Sequence, residues 1–464
     1  MMKDFSNLSK RIFVADFAKI ARCKHIFGFI FVALSCVLFF GCSSKKFYTP
    51  ANIDGQIIFS QSFPTPIAQN NRYVATLKDG SLLTQSGFVP ANKQIRELIP
   101  KNAKFLNESG GYYIFAKGCG EILLLKSSLV DENAFDSGTC PVKEENTACT
   151  QEQIEVQIQG CAISASLREN LLAFVTTDNT SHIISLGSDF GGNFGGGDFD
   201  RGDFERGDFD NADSSKTQNI DFATSSQNQS THDLATKSAQ ENVQENPQEN
   251  SKKIAQESLF SQKGSAVLAV NQLIAAPLFL DSLVVFPTLD GRILVVSTQN
   301  YETQRNIIVS SEKFFNNIIY LQGDDLRIFA ATPKKLISIV SAQQFSYAEE
   351  LKDITFYNGY LYALTLDGKI AQLDHTLREV NTKKFEYASL EGMAFSNNTL
   401  YTYEKNGSFI IALNVDDFTH KVYQAQDSFG KMLGNKLNFY TKNIFYYNKY
   451  YFDFAKIADF ITSK

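Results

Sequence analysis

The sequence predicts an all-β protein, a β-propeller of seven to eight blades, interrupted by a disordered acidic insertion and preceded by an N-terminal export signal. Three observations carry that prediction. A β-rich phrase with a turn at its centre recurs about every 40 residues, residues 188–262 abandon that composition, and the first 41 residues hold a short apolar run behind a basic flank. Hydrophobic residues make up 43% and charged residues 20% of the 464, so collagen, coiled coil and wholesale disorder are excluded. The formal net charge of −6, without a long Lys/Arg run, argues against nucleic acid as a partner.

The export signal comes first in the chain. Residues 26–40 (IFGFIFVALSCVLFF) are uncharged and follow Lys19, Arg22 and Lys24. A spanning helix needs about 20 apolar residues, so a shorter run with this flank reads as a secretory core. Its end, Leu38-Phe39-Phe40-Gly41-Cys42, resembles the lipobox of bacterial lipoproteins, with Phe39 and Phe40 departing from the usual residues. The resemblance implies that residues 1–41 are a lipoprotein signal peptide, that Cys42 is lipidated, and that the rest is tethered to a membrane outside the cytoplasm. Ser43 resembles the class sorted to the outer membrane. The competing reading keeps the segment as an uncleaved anchor without lipid.

Cys119, Cys140, Cys149 and Cys161 then cluster within 43 residues. In an exported protein an even number of thiols suggests disulfides, here with three pairings open. The favoured set joins Cys140 to Cys149, closing the polar loop CPVKEENTAC, and Cys119 to Cys161, stapling the base of that excursion. Metal binding is disfavoured because neither a CxxC pair nor a nearby His supplies ligand spacing.

The propeller parts span 42–187 and 263–464. Turns are expected at Asp79-Gly80, Gly118-Cys119-Gly120, Asp178-Asn179, Asp290-Gly291, Pro333, Asp367-Gly368, Asn406-Gly407 and Asn448-Lys449, each between two β-rich runs. Asp-Gly and Asn-Gly supply the positive φ that two-residue hairpins demand. The steps from Asp290 onward are 43, 34, 39 and 42 residues, and Asp79 to Cys119 is 40. A β-rich period near 40 is that of a propeller blade, which buries its faces only against neighbouring blades. Residues 56–63 (QIIFSQSF) are expected to complete the last blade and close the ring. The rival architecture is a β-sandwich on either side of the insertion, but the phrase before the insertion matches the phrase after it.

The insertion, 188–262, is Gly/Asp/Phe-rich and then Gln/Asn/Ser-rich, and holds 14 acidic and 6 basic residues. It has too little apolar surface to offset its ordering entropy. A repeat of Gly-Asp-Phe-Asp/Glu-Arg/Asn produces two Arg-Gly-Asp triplets, Arg201-Gly202-Asp203 and Arg206-Gly207-Asp208. These resemble an integrin-recognition motif. The bland reading is a solvated spacer whose repetition generates the triplet.

The phrases LYALTLDGKIAQLD and VVFPTLDGRILVVS resemble the quinoprotein-type (PQQ-like) propeller repeat. With the signal and the blade number, the plan is similar to the BamB-like lipoproteins that assist outer-membrane protein assembly. That resemblance implies a non-catalytic scaffold on the periplasmic face of the outer membrane, binding envelope proteins such as the barrel-assembly machinery. Quinone-dependent dehydrogenases share the repeat but rely on Trp and a vicinal Cys pair, and this chain has no Trp among its 40 Phe and 19 Tyr. Its expected cofactors are therefore none, and neither a small-molecule substrate nor a metal site is expected. Asp79, Asp290, Asp367 and Asp374 are read as turn formers, and the Asp374-His375 pair is not read as catalytic. The alternative function is a surface-exposed, host-binding adhesin that uses the insertion.

Overall fold

In the strand Tyr360–Thr365, Leu361 and Ala363 pack toward one neighbouring sheet and Tyr362 and Leu364 toward the other, all of them buried. A sheet apolar on both faces needs a sheet on each side, and a ring satisfies that demand for every member. The computed structural model describes residues 46–58, 61–91, 98–127, 153–187, 190, 252–253, 256–267, 269–324, 326–425 and 437–462. These form eight sheets in sequential order, so the expected seven to eight blades resolve to eight.

Blade 1 comprises Ile67–Asn70, Ala75–Leu77, Leu82–Leu83 and Phe88–Val89, and blade 2 Lys104–Ser109, Tyr112–Ala116, Glu121–Lys126 and Gln153–Gln157. Blade 3 comprises Ala162–Arg168, Leu171–Thr176, Thr180–Ser185 and Glu257–Lys263, and blade 4 Leu278–Phe279, Leu283–Pro287, Arg292–Ser297 and Thr303–Ile308. Blade 5 is built from Tyr320–Gly323, Arg327–Thr332, Lys335–Val340 and Gln343–Tyr347, and blade 6 from Leu351–Tyr357, Tyr360–Thr365, Lys369–Leu373 and Glu379–Lys384. Blade 7 is built from Leu390–Ser396, Thr399–Glu404, Phe409–Asn414 and His420–Ala425. Blade 8 takes Asn438–Tyr440, Ile444–Tyr447 and Tyr450–Asp453 from the far end of the chain and its outermost strand, Gln61–Ser62, from the near end.

Each of eight apolar clusters lies between two consecutive blades, and the series includes the blade 8 to blade 1 junction. There Phe63, Leu77 and Leu83 pack on Phe439 and Tyr446. The expected closing segment thus closes the ring, with a refinement. Only Gln61–Ser62 joins blade 8, whereas Gly55–Ile57 extends blade 7 in parallel with His420–Ala425.

Two further expectations are corrected. At Asp290-Gly291 and Asp367-Gly368 the glycine has φ of 83° and 84°, whereas neither aspartate is among the positive-φ residues. These are therefore wider turns in which glycine alone occupies the left-handed region, not two-residue hairpins. At Asn406-Gly407 the left-handed residue is Ser408, φ 55°. Six of the seven residues of the fourth strand of blade 3, Glu257–Lys263, fall in the segment assigned to the insertion, so the ring resumes before Gln262. Phe260 of this strand packs against the blade 3 to blade 4 cluster, which gives the segment the apolar contact that its polar composition conceals.

Strand reversal divides the ring's loops between two ends. Turns between second and third strands share one end with the links between blades, here termed the link face. Turns between first and second, and between third and fourth, strands share the opposite end, the insertion face. Cys119 and Cys161 form the expected disulfide. It joins the second-to-third turn of blade 2 to the link into blade 3, on the link face. The Cys-rich excursion leaves between Lys126 and Gln153, on the insertion face. The disulfide therefore does not staple the base of that excursion. The acidic insertion departs from the third-to-fourth position of adjacent blade 3, on the same insertion face. Cys140 and Cys149 lie outside the described residues, as do residues 1–45 with Cys42. Among the described residues no helix is long and apolar enough to cross a membrane.

Candidate functional site

First strands of neighbouring blades contact one another and so line the axis. Side chains on them and in the turns that follow knit the ring across its junctions. Asn71 donates to the carbonyls of Phe105 and Leu106, Asn107 donates to that of Ala165, and Glu391 receives Lys352 and Asn438. Arg72 reaches furthest. It stands in the first turn of blade 1, yet its guanidinium is 3.1 Å from Asp353 in blade 6 and 4.8 Å from the ring centre of Tyr320 in blade 5. It also donates to the carbonyl of Ile354. Blade 5 is opposite blade 1 in an eight-membered ring, so Arg72 spans the axis. Beside it, the Tyr73 hydroxyl accepts from the amide of Ala276, 2.8 Å away, in the approach to blade 4.

Arg72 was not singled out by sequence, because its partner Asp353 is 281 residues away and blade spacing does not say which first-strand residues meet across the axis. The side chains of Arg72 and Asp353 are 16% and 19% exposed. Breaking a fully buried pair costs about 3–5 kcal/mol, and partial exposure brings the expected loss for Arg72→Ala to about 2 kcal/mol. Asp353→Ala in that background should restore part of the loss in a urea-denaturation double-mutant cycle. Strict additivity would show that the pair is not coupled.

The sequence-predicted turn formers are engaged in their own turns. The hydroxyls of Thr176, Thr288 and Thr365 each donate at 2.5 Å to the carboxylate two residues on, at Asp178, Asp290 and Asp367. Asp79 accepts from the amide of Ser81, and Asp374 accepts from the amides of Thr376 and Arg378 and from the Thr376 hydroxyl. His375 offers its backbone carbonyl to Ser338, and no catalytic geometry links it to Asp374. Among the described residues no group of three or more His, Cys, Asp or Glu side chains is arranged to hold a metal ion.

These turns imply a pH dependence. The Thr176 hydroxyl, with support from Thr180 and Lys263, outweighs desolvation and holds the Asp178 carboxyl down at about 2. Burial pushes Asp290 up, but the Thr288 hydroxyl and the Ser265 amide together bring it below its ordinary value, and Thr365 and Lys384 lower Asp367. Burial likewise lowers His182, whose ring stacks on Phe174 at 4.7 Å. All four groups favour the deprotonated form when folded, so the stability they contribute is present at high pH and declines as pH falls. The unfolding temperature should start to fall below about pH 6.5 through His182 and decline further below about pH 4 through the aspartates. A rise in unfolding temperature on acidification through this range would refute the assignment.

A cleft of about 230 Å³ opens between blades 3 and 4, lined in part by Lys263, Ser265, Asp290 and Arg292. Asp290 in its wall is engaged by Thr288 and by the Ser265 amide, 3.1 Å away. The cleft is polar, its Thr288 hydroxyl is committed to Asp290, and among the described residues no cluster of metal ligands lines it. The two Arg-Gly-Asp triplets, Arg201–Asp203 and Arg206–Asp208, lie outside the described residues.

The comparisons with known proteins bear on function more directly than the cleft. No protein-family profile matches the chain. It is 32% identical over 457 residues to the plasminogen-binding protein PgbB of Helicobacter pylori strain J99, a match covering 92% of this chain and 71% of that protein. The chain belongs to the PgbB family. PgbB of strain 26695 matches at the same identity, over 92% of this chain and 70% of its own length. The PgbB family is thus named for binding a protein. Among solved structures, the chain is similar to BamB from Moraxella catarrhalis, at 12% identity and a TM-score of 0.46, over 88% of this chain and 99% of that one. It is also similar to Sqt1 of Saccharomyces cerevisiae, at 12% identity and a TM-score of 0.44, over 88% and 98%.

Proposed function

We propose that this chain is a lipid-anchored envelope propeller that binds a host protein, plasminogen or one like it, at the cell surface. One observation carries the reading: 32% identity across 92% of the chain to proteins named for binding plasminogen. Of the two binding functions raised by the sequence, this favours the host-facing one over the scaffold that serves barrel assembly inside the envelope. The ring topology supports it further, since both long excursions leave adjacent blades 2 and 3 at one face, where loop-mediated recognition would operate.

The test has two arms. The mature chain, immobilised through its N-terminus, should bind plasminogen saturably, and absence of binding at micromolar plasminogen would remove the host-protein reading. Protease treatment of intact cells should clip the chain within 188–262, where Arg201 and Arg206 offer trypsin sites. Survival of that segment on intact cells, together with recovery of barrel-assembly components in a pull-down, would return the function to the periplasm.

A further inference from the structure

We infer that the link face of the propeller lies against the lipid bilayer and that the insertion face points away from it. The inference rests on the reading of Cys42 as the lipid anchor. Its structural part begins at Tyr48, whose ring meets Phe385 and Phe409 edge-on, each at 6.0 Å. Phe385 belongs to the link from blade 6 to blade 7, and Phe409 begins the third strand of blade 7. Both positions are on the link face, so the chain enters the ring there. The six residue steps from Cys42 to Tyr48 can span at most about 20 Å. A lipid on Cys42 therefore holds this end of the ring near the membrane.

The same face carries apolar side chains in contact with solvent. Phe314 and Phe315, in the link from blade 4 to blade 5, are 49% and 56% exposed, and the amide of Phe315 bonds to the carbonyl of Ala269, next to half-exposed Val270. Leu366, in the second-to-third turn of blade 6, is 56% exposed. Phenylalanine and leucine exposed beside a membrane tether suit the boundary between headgroups and acyl chains. Several cations on this face meet acids, Lys334 with Glu312 at 3.8 Å, Lys384 with Asp367 at 2.9 Å and Lys263 with Asp178 at 3.3 Å, while exposed Lys313 lies over the Phe314 ring, 5.5 Å from its centre. Contact is therefore chiefly apolar in origin, with Lys313 adding a modest dependence on anionic lipid and salt.

The absence of Trp makes the inference directly measurable, because one introduced Trp is the sole indole emitter. Phe315→Trp reports the link face, and Leu326→Trp, at a 78% exposed position in the first-to-second turn of blade 5, reports the insertion face. Each variant is held on vesicles of phosphatidylethanolamine and phosphatidylglycerol containing brominated acyl chains. Anchoring is by the native lipid or, to separate the two readings, by a His tag at position 42 on a nickel-chelating lipid. Emission from F315W should fall about twofold on brominated vesicles while that from L326W is unchanged, in both anchoring formats. Equal quenching of the two, or quenching of L326W alone, overturns the inference. So does an F315W signal that bromolipid leaves untouched and plasminogen shifts, which would make the face a protein site. Mass spectrometry of the mature N-terminus tests the lipid on Cys42 independently, so loss of the anchor reading and loss of the orientation are told apart.

Discussion

Replacing Phe63 with Ala should lower the free energy of unfolding by about 4 kcal/mol, within the range for deleting a buried aromatic ring from a packed core. Phe63 is 9% exposed and lies at the one junction where the two ends of the ring meet. Its ring centre is 4.6 Å from that of Phe88, 5.1 Å from Tyr451 and 5.7 Å from Tyr446, so it contacts blade 1 and blade 8 at once. Its amide donates to the carbonyl of Lys449 at 2.7 Å, continuing the short pairing of Gln61–Ser62 with Tyr450–Asp453. Elsewhere the chain itself links one blade to the next. At blade 8 the pairing of Gln61–Ser62, this aromatic cluster, the Ile67 amide on the Asn448 carbonyl at 2.9 Å and the Asn70 and Gln85 side chains on the carbonyls of Asn438 and Tyr440 bring the two ends of the chain together. Phe329→Ala, at a fully buried position between blades 5 and 6, is the control. Both substitutions should destabilise in urea, but Phe63→Ala should accelerate unfolding more, since it loosens the place where the two ends of the chain meet. A loss below about 1 kcal/mol for Phe63→Ala would place closure elsewhere.

The blade repeat was legible because period-two burial and a turn near every 40th residue are local properties, written in phrases such as LYALTLDGKIAQLD. What was not legible depended on partners distant in sequence. Gly55–Ile57 and Gln61–Ser62 are a few residues apart, yet they join different blades, and no local feature says that the first pairs in parallel with blade 7. The return of the chain to blade 3 at Glu257 was hidden because polar residues occupy five of the seven positions of that outer strand, whose exposed side tolerates them. The expected pairing of Cys119 with Cys161 is present, but its role was misplaced. Residue spacing alone does not say at which end of a blade a turn lies. Strand polarity decides that, and it also places both long excursions at one face. For the candidate site, the engagement of Asp290 and Asp367 in turns follows from Thr-x-Asp-Gly, whereas Arg72 and its axial partners required the closed ring.

Replacing Cys119 and Cys161 together with Ser should cost about 4 kcal/mol, because their separation of 42 residues sets the loop closure withheld from the unfolded chain. Equilibrium unfolding in guanidinium of the variant against the oxidised wild-type chain gives that loss, and the reduced wild-type chain should match the variant; equality of oxidised and reduced protein would refute it. The position of the disulfide sharpens the expectation beyond a single free energy. Around it the amide of Gly120 donates to the carbonyl of Gly160 at 2.8 Å, that of Ile158 to Gly120 at 2.9 Å, and that of Thr177 to Cys161 at 2.9 Å. These bonds tie the second-to-third turn of blade 2 to the entry of blade 3, at the link face. Without the disulfide, hydrogen exchange should quicken at Gly120, Ile158 and Thr177 and along the start of Ala162–Arg168. At the other end of blade 2, where Leu125 pairs with Gln153 beside the Cys-rich excursion, exchange should be unaltered. Faster exchange at that pair, with Gly120 and Thr177 still protected, would restore the role of a staple for the excursion. Faster exchange at the link face alone means that the disulfide secures one blade to the next.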